Sequence, residues 1–276
     1  MNKDFSNAAL QKPSPGELIE AVMRNDIDRV ADLLQRKADV NEIYCAKEGT
    51  ALIIAAGRGF SEIVTLLIAH HADLDSKNDW GFTALHSAVC GGGYMDIVRQ
   101  LVTAKASLDE TNEDGNTALI TTADNGNAEI AAFLARSGAD PNIKGAYGWT
   151  SLTAAAYNGN TEIAGALIDC GAVIDVKDDD GSTPLMCAAE NNCAATVKLL
   201  LQRGASLDET NDEGKTVMDI VMENDALGEI RTVLQEAIDA PRRAETARIS
   251  ALHATAVKKR KALEARAPVV TIRPAS

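Results

Sequence analysis

The chain has 276 residues and a formal net charge of −13, with 46% hydrophobic but only 4% aromatic residues. That balance supports a core packed from small aliphatic side chains, and an acidic surface repels phosphates, which excludes nucleic acid as the expected partner. No apolar run reaches the roughly 20 residues of a transmembrane helix, and the five cysteines (Cys45, Cys90, Cys170, Cys187, Cys193), odd in number and irregular in spacing, read as reduced thiols.

Residues 1–13 are polar, lack the apolar stretch of a signal peptide and are expected to be disordered, so the chain is expected to stay in the cytosol. Ser14-Pro15-Gly16-Glu17 carries a capping-box signature with proline at the first helical position, which predicts a helix start. Leu18, Ala21 and Val22 then mark one amphipathic helix, and Val30, Ala31, Leu33 and Leu34 a second. Segment 14–48 reads as a terminal cap, and its exit loop Asp39 to Gly49, containing Tyr44, is one residue longer than the loops that follow.

From Thr50 one unit recurs. Threonine returns at Thr83, Thr117, Thr150, Thr183 and Thr216, in steps of 33, 34, 33, 33 and 33 residues. An alanine follows each second helix at Ala72, Ala106, Ala139, Ala172 and Ala205, and a glycine closes each loop at Gly81, Gly115, Gly148, Gly181 and Gly214. Each unit reads as helix, tight turn, helix and protruding loop; neither helix can bury its apolar face alone, so each unit needs a copy of itself on either side. With Thr83-Ala-Leu-His-Ser-Ala, Thr183-Pro-Leu-Met-Cys-Ala, Ala72-Asp-Leu-Asp and Ala139-Asp-Pro-Asn, the chain resembles the ankyrin repeat family over about residues 17–238. Departures are local: only Thr183-Pro184 keeps the family's proline and only His86 its histidine. The resemblance implies an all-α ankyrin-repeat solenoid, stacked helix-turn-helix pairs with protruding hairpin loops, with repeats at 49–80, 81–114, 115–147, 148–180 and 181–213 and a C-terminal cap repeat at 214–238. It further implies binding of proteins through the hairpin tips and the concave inner helix face, with no catalysis.

Three features break the regularity. Cys90-Gly91-Gly92-Gly93-Tyr94 inserts a residue between two helices, read as an extra residue tolerated in a pliable exposed turn from which Tyr94 projects. The left-handed position ending each second helix is Gly138, Gly171 and Gly204 in the later units but Lys37, His71 and Lys105 in the earlier ones, which predicts a less stable N-terminal half. Segments 106–115 and 205–214 are nearly identical, as duplication of a block would leave them.

Both tryptophans fall at loop tips, in Asp79-Trp80-Gly81-Phe82 and Tyr147-Gly148-Trp149, where a thin tip is expected to leave an indole exposed. They stand two repeats apart, roughly 20 Å at helix-stacking distances. Other tips are polar, as in Asp179-Asp180-Gly181-Ser182. On the inner helices the same groove is expected to present Cys90, Asp124, Asn125, Tyr157 and Glu190, and Tyr157 between two acidic neighbours suits a basic side chain on an apolar stem. Together with Tyr44 and Asp180, these are the candidate partner-binding residues. The expected partner is another protein with a basic surface; the chain itself is expected to be a monomer without cofactor.

Chemistry-bearing constellations are missing from the sequence. His70, His71, His86 and His253 lack partners at metal-ligand spacing, and no phosphate-binding glycine motif, nucleophile elbow or HExxH occurs, so no catalytic or metal-binding residue is assigned. The last unit fills its second helix with Glu229, Arg231, Gln235 and Glu236, as a cap facing water would. Beyond it, residues 239–276 carry nine Lys/Arg against three Asp/Glu, a net of +6 that leaves −19 for residues 1–238. This tail, partly helical or disordered, holds Lys258, Lys259, Arg260 and Lys261, a run that reads as a nuclear address, an anchor for an anionic surface, or a basic arm for the acidic body. An alternative function follows from it: a regulatory effector, exported into a host cell or delivered to a nucleus by the tail.

Overall fold

The computed structural model describes residues 12–43, 45, 47–224 and 227–239. The chain divides into two compact units, Met1–Ile230 and Arg231–Ser276. In the second, residues 231–239 are helical. In the first, helices come in pairs: α1 (Glu17–Met23) with α2 (Ile27–Gln35), α3 (Ala51–Arg58) with α4 (Ser61–Ala69), α5 (Ala84–Gly92) with α6 (Met95–Thr103), α7 (Ala118–Asn125) with α8 (Ala128–Arg136), α9 (Ser151–Tyr157) with α10 (Thr161–Asp169), and α11 (Pro184–Glu190) with α12 (Ala194–Gln202); α13 (Val217–Met222) begins the next turn. The odd-numbered helices pack in succession as one layer, the even-numbered ones from α2 to α12 as a second, and each pair bridges the layers. Extended pairing among the described residues is limited to the isolated bridges Ile43–Thr50 and Thr111–Thr117. The unit is an all-α repeat solenoid.

The recurring threonine explains where each odd-numbered helix from α3 begins. Thr50, Thr83, Thr117, Thr150, Thr183 and Thr216 each cap the helix with a hydroxyl that accepts the backbone N–H three residues on, at 3.2–3.4 Å. Such a cap is worth about 1 kcal/mol, and the first five threonines are 1% exposed, so no water can replace it. Two of the caps are reciprocal. Asp219 returns its carboxylate to the Thr216 N–H at 2.9 Å, and buried His86 brings Nδ1 to within 3.0 Å of the Thr83 hydroxyl. His86 Nε2 lies 3.0 Å from the Asn116 carbonyl. A carbonyl only accepts, so Nε2 carries the proton and Nδ1 is the acceptor.

Between the layers, Leu52, Ala55, Ala56, Ile63, Val64 and Leu67 fill one repeat, and Leu85, Ala88, Ile97, Val98 and Leu101 the next, all 1% exposed or less. Gly91, in the last turn of α5, is a packing device. A Cβ there would lie 2.0 Å from the Gly57 carbonyl oxygen, so the missing side chain lets α5 ride directly on the backbone of α3. Tyr94 does not project, contrary to expectation: its half-buried ring lies over Gly59, where a Cβ would come within 2.6 Å of Cε1. At the N-terminus only half of the expected capping box forms. The Glu17 carboxylate accepts the Ser14 N–H at 2.8 Å, but Gly16, at φ 87°, occupies the cap and Pro15 stays outside the helix.

Lys37, His71 and Lys105 do adopt left-handed backbone, at φ 61°, 62° and 74°, where Gly138, Gly171 and Gly204 sit at 92–101°. A Cβ strains that conformation. Lys105→Gly is therefore expected to raise the free energy of unfolding by about 0.5–1 kcal/mol, and Gly138→Ala to lower it by about 1 kcal/mol, in urea titrations followed by circular dichroism.

His86 supplies a pH signature. Burial, the largest cause, together with the Lys77 charge, holds its imidazole below the ordinary value of 6.5, against the opposing pull of the Asn116 bond and of Glu110. The unfolded chain thus takes up the proton first, and the stability that neutral His86 contributes is present above pH 6.5 and lost as pH falls toward the native value. Wild type is expected to lose more stability than His86→Gln between about pH 7.5 and 5.5, read as the difference in urea midpoints.

Candidate functional site

The five loops with tips at 78–82, 112–116, 145–149, 178–182 and 211–215 are tight hairpins closed by a backbone hydrogen bond. The first tip residue donates its N–H to the carbonyl four residues on: Asn78 to Phe82, Asn112 to Asn116, Gly145 to Trp149, Asp178 to Ser182 and Asn211 to Lys215, at 2.8–3.1 Å. Where that residue is Asn or Asp, its side chain also accepts from inside the turn; Asn78 Oδ1 takes the N–H groups of Trp80 and Phe82. Neighbouring tips are joined as well: Glu113 donates to the Trp80 carbonyl, Asp179 to that of Tyr147 and Asp212 to that of Asp180, each at 3.0 Å. The side chains at the third tip position, Trp80, Asp114, Tyr147, Asp180 and Glu213, are thereby left exposed on a fixed backbone.

The 145–149 tip departs from this scheme. Gly145 stands where the other tips hold Asn or Asp, and a Cβ there would lie 2.1 Å from Asn116 Oδ1, which accepts the Ala146 N–H at 3.0 Å. Tyr147 then takes up a left-handed backbone at φ 58° and is 77% exposed. A left-handed tyrosine costs on the order of 1–2 kcal/mol, the kind of strain that clusters at functional sites.

Around this tip the aromatic side chains gather. The rings of Trp149 and Tyr157 lie 4.8 Å apart, and Tyr147 meets Trp149 edge-on at 6.4 Å. With Phe82, Ile120 and Asp124 they line a cleft of about 470 Å³. A second cleft of about 370 Å³ opens beyond Phe82, between Trp80, Glu48, Arg58 and Cys90. Phe82 belongs to both, and its ring is stacked on His86 at 5.7 Å. Trp80 is 52% exposed, as expected of a tip indole, but Trp149 is half-buried, because Tyr157 at the end of α9 rises to meet it. The fully presented aromatic at that tip is Tyr147.

The remaining candidates fall elsewhere or in part. Asp124 walls the aromatic cleft and accepts a hydrogen bond from Asn158 at 2.9 Å; Asn125 is exposed but lines neither cleft. Cys90 forms the rim of the Trp80 cleft, its thiol pushed up by partial burial and so protonated. Asp180 and Glu190 belong to an acidic group completed by Asp178 and Glu213. Partial burial first, then the charges of Asp178, Glu213 and Asp180, hold the Glu190 carboxyl above its ordinary value of 4.5. Cys187 lies beneath this group, 3.9 Å from Asp178 Oδ2, its thiol pushed up to about 12 chiefly by burial and therefore unreactive. Tyr44 and Lys258, Lys259, Arg260 and Lys261 lie outside the described residues. Sequence reasoning missed Asp178 and Glu213 as partners of Glu190, and missed Phe82 as the hinge between the clefts. The break at Gly145 in the series Asn78, Asn112, Asp178, Asn211 was the available signal for the distorted tip.

Among the described residues no three His, Cys, Asp or Glu side chains are placed to hold a metal ion, and no helix is long and apolar enough to cross a membrane.

A family model described as ankyrin repeats (3 copies) matches residues 18–110, 89–178 and 152–246. The chain is also similar to human ankyrin repeat domain-containing protein 35, with 38% identity over 63 residues, 23% of this chain and 6% of that protein. It thus spans a small part of that relative's length.

The acidic group leaves a measurable mark on stability. Glu190 binds its proton more readily folded than unfolded, so its contribution is fully present below pH 4.5 and lost as pH rises through the native value. Glu190→Gln is expected to move the urea midpoint upward at neutral pH, and that gain should vanish below pH 4.5 and shrink in high salt.

Proposed function

The chain belongs to the ankyrin repeat family, and we propose that it is a non-catalytic scaffold that holds a protein partner in the groove between its loop tips and odd-numbered helices, as an adaptor or an inhibitor in the cytosol. Repeats of this family generally mediate protein–protein interaction. The observation that carries the reading for this groove is the strained, exposed Tyr147 beside the ring pair Trp149 and Tyr157, over an open cleft. Large aromatic side chains on a backbone that is already ordered lose little entropy on binding, which is why such residues dominate interface energetics. Trp80 with its own cleft extends the same face, so that a partner touching both tips covers two repeats. The basic run Lys258 to Lys261 supports a second role, in which the tail addresses the chain to a nucleus or an anionic surface; removing residues 240–276 would then change localisation while leaving partner affinity intact.

Trp80→Ala/Tyr147→Ser removes two exposed rings without opening the core. In affinity capture from lysate of the source cells, wild type is expected to retain a partner that the double variant, matched by circular dichroism, releases. Equal retention by both would remove the tips from the binding face.

A further inference from the structure

Which partner chemistry the groove accepts can be read one level deeper, on the premise that the groove does bind protein. Tyr157 and Glu190 occupy equivalent positions at the ends of neighbouring helices α9 and α11, and Tyr147 and Asp180 equivalent positions on neighbouring tips. One repeat therefore offers π faces and the next offers carboxylates, at the same height in the groove.

The carboxylates have no counterion among the described residues. Among the described residues no lysine or arginine forms an ion pair with Asp124, Asp178, Asp180 or Glu190. The cations of the adjoining loops are committed elsewhere: Lys177 Nζ to Glu209 at 3.0 Å and the Thr210 carbonyl at 2.8 Å, Lys215 Nζ to Glu213 and Glu223 at 2.9 Å each, and Lys144 Nζ to the Lys177 carbonyl at 2.6 Å. The aromatic cleft has one carboxylate of its own, Asp124, in its wall. Rings backed by a carboxylate attract an arginine or lysine head while accepting its apolar stem.

Geometry sets the register. Packed helices lie about 8–10 Å apart, and a peptide in the extended polyproline II conformation, with three residues per turn and a rise of about 3.1 Å per residue, returns a side chain to the same face every three residues, about 9 Å on, so a side chain in one repeat's subsite and another in the next are three residues apart. We propose that the groove receives an extended peptide segment carrying Arg or Lys at positions i and i+3, the first seated between Tyr147, Trp149 and Tyr157 against Asp124, the second among Asp178, Asp180 and Glu190. The partner is thus a protein with a basic, extended segment, and the segment's direction along the groove decides which cation meets which subsite.

The test pans a displayed library of random decapeptides on the full chain, then measures resynthesised peptides by fluorescence anisotropy. The proposal requires enriched sequences with basic residues three apart, each worth about tenfold or more in affinity when replaced by alanine. Asp180→Asn/Glu190→Gln, two near-isosteric changes at exposed positions, should abolish the penalty for losing one of the two cations and leave the other unchanged. Tyr157→Leu should do the converse. Enriched peptides without the basic pair, or basic peptides indifferent to both variants, would overturn the inference and leave the groove a protein-binding face of other chemistry. A library that enriches nothing, alongside a partner lost from Trp80→Ala/Tyr147→Ser in lysate, would also overturn it, because the partner would then be recognised by a folded surface and not by a linear segment.

Discussion

No helix from α1 to α13 is longer than nine residues, and isolated helices of that length do not persist in water, because nucleation costs more than so few hydrogen bonds return. Every element here exists by virtue of its neighbours. Leu52, Leu85, Leu119, Leu152 and Leu185, each two residues after a capping threonine, are all 1% exposed or less, yet each is covered jointly by its own pair and the adjoining one. The threonine caps make this shared burial specific: a buried hydroxyl that must accept the third N–H fixes the residue at which the chain leaves the loop and enters the helix. Perturbing one repeat therefore loosens the adjoining repeats first, as expected for an array held by nearest-neighbour contacts.

The same constraint explains why recognition can reside on the tips. Tip backbones pair within each hairpin and from one hairpin to the next, and Asn78, Asn112, Asp178 and Asn211 supply the turn with an acceptor of its own. With polar backbone groups satisfied, nothing structural dictates the third tip residue, and Trp80, Asp114, Tyr147, Asp180 and Glu213 share a backbone site without sharing chemistry. Gly145 shows the reverse case. Giving up the turn acceptor brings Asn116 in as a substitute from the preceding repeat, and Tyr147 is forced into its exposed, left-handed pose.

Period and composition made the architecture legible: the threonine spacing marked every odd-numbered helix start from α3 onward, and glycine against lysine or histidine marked the helix-end conformations that the backbone adopts. Legibility failed where side chains from different elements meet. That Tyr94 lies down on Gly59, that Trp149 sinks against Tyr157, and that Glu190 faces Asp178 are facts of packing between residues 35, 8 and 12 positions apart, and no local periodicity encodes whether such side chains turn inward or outward. The half-formed box at Ser14 failed for a different reason. Gly16 outcompetes serine for the cap because it alone takes φ 87° without strain, a preference the four-residue signature does not express.

The acidic end of the groove is then the feature that packing does not explain. Asp178 has a structural duty, accepting the N–H groups of Asp180 and Ser182 to hold its turn, but Asp180 and Glu190 make no ion pair with a described residue, and partial burial followed by the charges of Asp178, Glu213 and Asp180 raises the proton affinity of Glu190. A solenoid assembled from small increments of burial gains nothing from carboxylates that repel one another on its surface. Ligand binding reverses that sign: a cation that enters only the folded groove stabilises it by mass action, in proportion to the logarithm of its concentration over its dissociation constant. Repulsion in the free protein and the proposed attraction to a basic segment arise from the same charges, so both are one electrostatic property seen without and with its counterion.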